Sequence, residues 1–242
     1  MELSDRGSLH YDHAPIVEAA ISIEVQHLGE SSLPVLSALG DSLSLDFPTK
    51  RPRFRSQVAV SVGAQPTAET RNFQDGYVCV AQDERHVLQF WLGGVIASML
   101  APYTRWEDLE PLATNAWGAF ESATGSAIQA LGIRFINKIE IPSGEPMEHY
   151  LSTYPEVSRK LPQLLNQYFM RLEIPLDRAV AIIQQTFAPA EKSGHVAILF
   201  DSDLRVDVRK GDSLASLLEY GHNAKNEVFE ASITDRLRDI IK

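Results

Sequence analysis

The chain has 242 residues, 44% of them apolar, enough to bury the core of one large domain or two small ones. Its 22 lysines and arginines stand against 32 aspartates and glutamates, and the resulting charge of −10 repels polyanions and anionic membrane surfaces, which argues against nonspecific nucleic-acid coating. The single cysteine, Cys79, excludes an intramolecular disulfide and a cysteine-based zinc cluster.

The opening "MELSDRGSLHYDH" is a polar leader without a basic start and apolar stretch, so a cytoplasmic location is expected. From Val17 to Gln26 apolar and polar residues alternate, the period of a strand with one buried face. "SSLPVLSALGDSLSLDF" then predicts a helix opened by Ser31 or Ser32, with Leu33, Leu36, Leu39 and Leu43 along one side. Strands are expected at 54–62, 76–82 and 86–92. The apolar run from Phe90 to Pro102 is too short to span a bilayer, which requires about 20 residues.

Thr104 and Glu107 have the spacing of a capping box, and Trp106, Leu109, Ala113, Ala116, Phe120 and Ala127 predict a long helix bent near Pro111. In "LGIRFINKIEIP", an extended chain puts Ile133, Phe135, Asn137, Ile139 and Ile141 on one face, with Arg134, Ile136, Lys138 and Glu140 on the other. An amide therefore falls inside an apolar stripe. A short helical stretch is expected around 146–166, strands at 167–174, 179–188 and 195–208, and a terminal helix from Asp212 or Ser213. That helix aligns Leu214, Leu217, Gly221, Ala224 and Val228, and Thr234 can cap a last turn holding Leu237 and Ile241.

This order predicts an α+β fold, a mixed or antiparallel sheet backed by two long helices. After the leader at 1–13, residues 14–131 and 132–242 each read strand, helix, three strands, helix, so two pseudo-repeated halves or a single continuous domain are expected.

Four stretches, "HAPIVEAAISIEV", "PYTRWEDL", "GIRFINKIEIP" and "LLEYGHNAKNEVFEASITDRL", together resemble an uncharacterised, sporadically distributed family of bacterial and archaeal proteins of similar length. The resemblance spans nearly the whole chain and brings no established catalytic residues. Scattered occurrence implies carriage in mobile or defence-related systems.

Motifs of known chemistry are incomplete. "GDSL" occurs at Gly40–Leu43 and Gly211–Leu214, but the first copy lies on the leucine-periodic helix, no Asp-x-x-His follows the second to activate its serine, and the second copy reads as a helix cap. His10, Asp12 and His13 of "HYDH" read as leader rather than metal ligands, and His222 reads as a packed, hydrogen-bonded histidine or an acid–base group. Asp201, Asp203 and Asp207 could hold Mg²⁺ on one strand face, but Asp-Ser-Asp reads more readily as a solvated turn.

The strand-borne cations remain: Arg53 and Arg55 share one face, and Arg134 and Lys138 another. These four are the expected binding residues for a partner protein or anionic ligand, and cross-strand pairing with Glu18, Glu24, Glu140 and Glu173 is the competing expectation. The chain is read as a non-catalytic cytoplasmic binding or regulatory protein, with no cofactor or metal and no membrane association. The alternatives are a metal-dependent enzyme acting on nucleic acid or nucleotides, using the aspartates, and a sequence-selective nucleic-acid binder using a sheet face.

Overall fold

In a computed structural model, residues 11–61 and 67–242 are described. Ile16–Val25 forms β1, followed by a single 3-10 turn and α1 at Leu33–Ser42. Four strands come next: β2 (Thr49–Ser61), β3 (Thr67–Val80), β4 (His86–Trp91) and β5 (Gly94–Leu100). The helix α2, Trp106–Thr124, leads into β6, Ile128–Pro142. The strands β7 (Phe169–Pro175), β8 (Ala179–Ala188) and β9 (His195–Asp207) precede α3 (Leu214–Ser232) and α4 (Asp235–Ile241).

The fold is α+β. All nine strands join one sheet in the order β2-β3-β4-β5-β1-β6-β9-β8-β7, and every neighbouring pair is antiparallel. The alternation read from the sequence decides which face is covered. Ala19, Ile21, Ile23 and Val25 of β1 are buried beside Leu131, Ile133 and Phe135 of β6, and α2 packs on β5 and β1 while α3 packs on β9, β6 and β8. At Gly221 an added Cβ would lie 2.5 Å from Ile133 Cδ1, which is how closely α3 sits on the sheet. A second cluster at the end of α3 gathers Ile139, Ile141, Phe200, Leu237 and Ile241.

Several expectations are corrected. The apolar run 90–102 holds a hairpin and the unforeseen β5, whose Gly94 (φ 140°) places its missing Cβ only 2.0 Å from the Ile23 carbonyl oxygen. Thr104 does not form a capping box. Its hydroxyl donates to the Asp108 carboxylate at 2.7 Å, and Arg105 occupies the cap position. Ala127 lies beyond α2, which stops at left-handed Gly125. Around 146–166 there is one 3-10 turn, Met147–His149, rather than a helix, and Leu151 bridges to Ile233. Residue 62, the end expected for the second strand, lies outside the described residues. The caps of the terminal helices do form: Ser213 and Ser216 exchange bonds at the start of α3, and Thr234 accepts from Leu237 at the start of α4.

Candidate functional site

The face of the sheet away from the helices carries the predicted cations, and Arg53, Arg134 and Lys138 each meet a carboxylate. Arg134 on β6 is directly opposite Asp203, but its fork reaches diagonally to Asp201, with Nε and Nη2 donating at 2.9 and 2.7 Å. These hydrogen bonds hold the guanidinium above its ordinary pKa. Gln184 of β8 donates to the same carboxylate at 3.4 Å. Asp203 approaches Arg205 at 3.5 Å, and burial raises its carboxyl against the opposing pull of Arg205 and Arg134. Asp201, Asp203 and Asp207 all belong to β9, so the solvated turn expected there is a strand. Asp207 is exposed, four residues beyond Asp203, and among the described residues no group of three acidic, histidine or cysteine side chains is arranged to hold a metal.

Arg53 lies at the far side of the same face, ion-paired with buried Asp75, donating to Gln89 at 3.1 Å and stacked 4.7 Å over Trp91. The other Asp75 oxygen and the Trp91 indole nitrogen are buried without a partner among the described residues. Arg55 is exposed, beyond the point where β4 stops pairing with β3. The partners expected from the sequence were mostly different ones: Asp75, Asp201 and Glu191 hold Arg53, Arg134 and Lys138, while Glu173 pairs with Arg171 of its own strand.

Lys138 stands apart from the other cations because it lines a groove of 680 Å³. Its ammonium meets Glu191 at 2.7 Å. Glu140, two residues on, accepts from the amides of Glu191 and Lys192, which hold its carboxyl below the usual range. Asp12 and His13 also line this groove, while His10 lies outside the described residues. The apolar part of the lining comes from Ile16, Tyr103, Ile139, Leu237, Ile240 and Ile241, drawn from β1, the approach to α2, β6 and α4. The charged half and the apolar half thus follow from the alternation of β6, with Lys138 and Glu140 on one face and Ile139 on the other.

On the helix side, His222 stacks flat on Trp106, with ring centroids 4.2 Å apart at 4°. Asn226 sits 3.3 Å from Nε2, one turn later on α3. With the Asn226 amide donating, Nε2 accepts and Nδ1 carries the proton. Burial, with Lys225 nearby, lowers the imidazole to about 4, so it is neutral near pH 7. Sequence reasoning missed Lys225, only 8% exposed, whose ammonium sits 3.8 Å over the Phe135 ring with Tyr103 edge-on to that ring. Burial lowers this lysine to about 7. The signal was present: Lys225 follows Leu218 and Gly221 at helical spacing, a cation inside an apolar stripe. Asn137 is buried as expected, and its amide donates to the Phe200 carbonyl at 3.4 Å.

No model of a known protein family matches the chain, and no curated protein sequence matches it.

Proposed function

We propose that this chain is a non-catalytic binding protein whose ligand is an anion with an apolar body, held in the groove beside Lys138. The observation that carries the reading is the unequal exposure of one ion pair in that groove. The Lys138 side chain is 21% exposed, whereas that of its partner Glu191 is 82% exposed. A pair with one member in solvent contributes little, about 0–1 kcal/mol, so a ligand carboxylate or phosphate can displace Glu191 at small cost. Arg134 is placed differently. Its carboxylate partner is largely buried and bound twice, and removing Asp201 from it would leave two charges unpaired. Exposed Ile240, with half-buried Ile16 and Tyr103, then supplies contact for the body of the ligand. The cytoplasmic location and the mobile or defence-related setting belong to the same proposal, and are supported by the cysteine content and by the family resemblance.

We also read the chain as two related halves sharing the sheet. Supporting this, β1 pairs with β5, the last strand before α2, just as β6 pairs with β9, the last strand before α3, and β1 pairs antiparallel with β6 at the centre.

Titration calorimetry with decanoate, decanol and inorganic phosphate tests the binding reading. Decanoate is expected to bind, and both decanol, which lacks the charge, and phosphate, which lacks the apolar body, to bind more weakly. Lys138→Glu should abolish decanoate binding while leaving circular dichroism and the unfolding midpoint unchanged. Equal binding of decanoate by wild type and variant would remove Lys138 from the site.

A further inference from the structure

At one end of the sheet lies β7, Phe169–Pro175, which among the described residues pairs on one side only, with β8. Natural edge strands are normally blunted by charged side chains, above all lysine, by a central proline, a bulge or a covering element, and the two charges of β7, Arg171 and Glu173, are opposite in sign. This one has no lysine, its register with β8 is unbroken, and its proline is its last residue. Phe169, Leu172 and Ile174 are 67%, 37% and 39% exposed.

The hairpin geometry shows which backbone groups are unused. The Leu176 amide donates to the Ala179 carbonyl at 2.8 Å across the turn. Pairs two residues further along an antiparallel ladder bond in the same way, so Ile174, Leu172 and Met170 turn their amides and carbonyls toward β8. Phe169, Arg171 and Glu173 turn theirs outward.

We propose that β7 pairs antiparallel with β7 of a second copy of this chain, about a two-fold axis through Leu172. Symmetric antiparallel pairings that use the outward groups over most of β7 centre on Leu172 or on one of its neighbours, Arg171 and Glu173. Centring on Arg171 sets arginine against arginine, and centring on Glu173 sets glutamate against glutamate, both of which repel. Centring on Leu172 sets Arg171 against the partner's Glu173 twice over, with backbone bonds at both pairs. On the opposite face it sets Leu172 against the partner's Leu172 and Met170 against the partner's Ile174, covering the exposed apolar row. The Arg171–Glu173 ion pair along each single strand becomes a four-charge cluster of alternating sign. The two sheets join into one, and the contact is isologous, so it closes at a dimer.

Analytical ultracentrifugation of the full chain tests this. Wild type is expected to dimerise reversibly, and Arg171→Glu or Glu173→Arg alone, each opposing like charges twice, should weaken the dimer about tenfold or more. The double exchange, Arg171→Glu with Glu173→Arg, should restore it. Hydrogen exchange on wild type gives a reading independent of any variant: the Arg171 and Glu173 amides should gain protection as protein concentration rises, more than those of exposed turns. A wild type that stays monomeric, a dimer indifferent to the single exchanges, a double exchange that folds without restoring it, or concentration-independent exchange at these amides would each overturn the proposal.

Discussion

Replacing Lys225 with methionine should stabilise the protein, and the gain should shrink as pH rises. The lysine is buried against Phe135 with no carboxylate paired to it among the described residues, and burial moves its pKa from 10.5 to about 7. Between those values the unfolded chain binds the proton and the folded chain releases it, so wild-type stability must climb with pH across that window. For these two values the climb from about pH 7 to about pH 9 amounts to roughly 2 kcal/mol. The Cys79 thiol, raised by burial from 9.0, opposes the climb toward the top of that interval, and the raised Tyr103 and Tyr168 oppose it at higher pH, but all three are common to wild type and variant and cancel in their difference. Methionine fills a similar volume without a charge, so Lys225→Met should lack this slope and be more stable than wild type by about 2–4 kcal/mol near neutrality. Urea unfolding at closely spaced pH values, for both proteins, measures the difference. Parallel curves for the two proteins, or a variant less stable than wild type at neutral pH, would refute the reasoning and mean that Lys225 keeps its proton in the fold.

Truncating Phe120 or Trp106 to alanine should cost about 3–5 kcal/mol in denaturant unfolding, because both lie in the core between α2 and the sheet. Asn137→Ala should lower stability by about 1–2 kcal/mol with the circular dichroism spectrum preserved, since it removes the amide that serves the Phe200 carbonyl. The His222 imidazole should keep its neutral chemical shifts on acidification until about pH 4, and a nuclear magnetic resonance titration midpoint near the ordinary 6.5 would show that the stack on Trp106 opens.

What could be read from the sequence divides along physical lines. The strands β1 and β6 and the helices α2 and α3 follow from side-chain periodicity, because each has one face in the core and one turned away. The strand β5 was invisible for the opposite reason: Val95, Ala97 and Met99 are buried, and so are Gly94 and Ser98 of the other face, so no alternation survives. The segment after β6 takes its shape from distant contacts such as the Leu151–Ile233 bridge, which no local pattern announces. Among site residues, the shared face of Arg134 and Lys138 was legible, but their fates were not. Asp201 lies 67 residues from Arg134 and Glu191 lies 53 from Lys138; the β6–β9 register brings the first pair together, and the connection from β8 to β9, held by Glu140, brings the second. Asp-Ser-Asp has turn chemistry by itself, and in β9 it is overridden by pairing with strands on both sides.

The most direct test of the binding account is a methyl resonance titration of the isoleucines with decanoate. The account predicts saturable shifts at Ile16 and Ile240 in wild type, absent in Lys138→Glu, with Ile133 under α3 unmoved. Shifts spread over the whole core, or the same shifts in the variant, would contradict it.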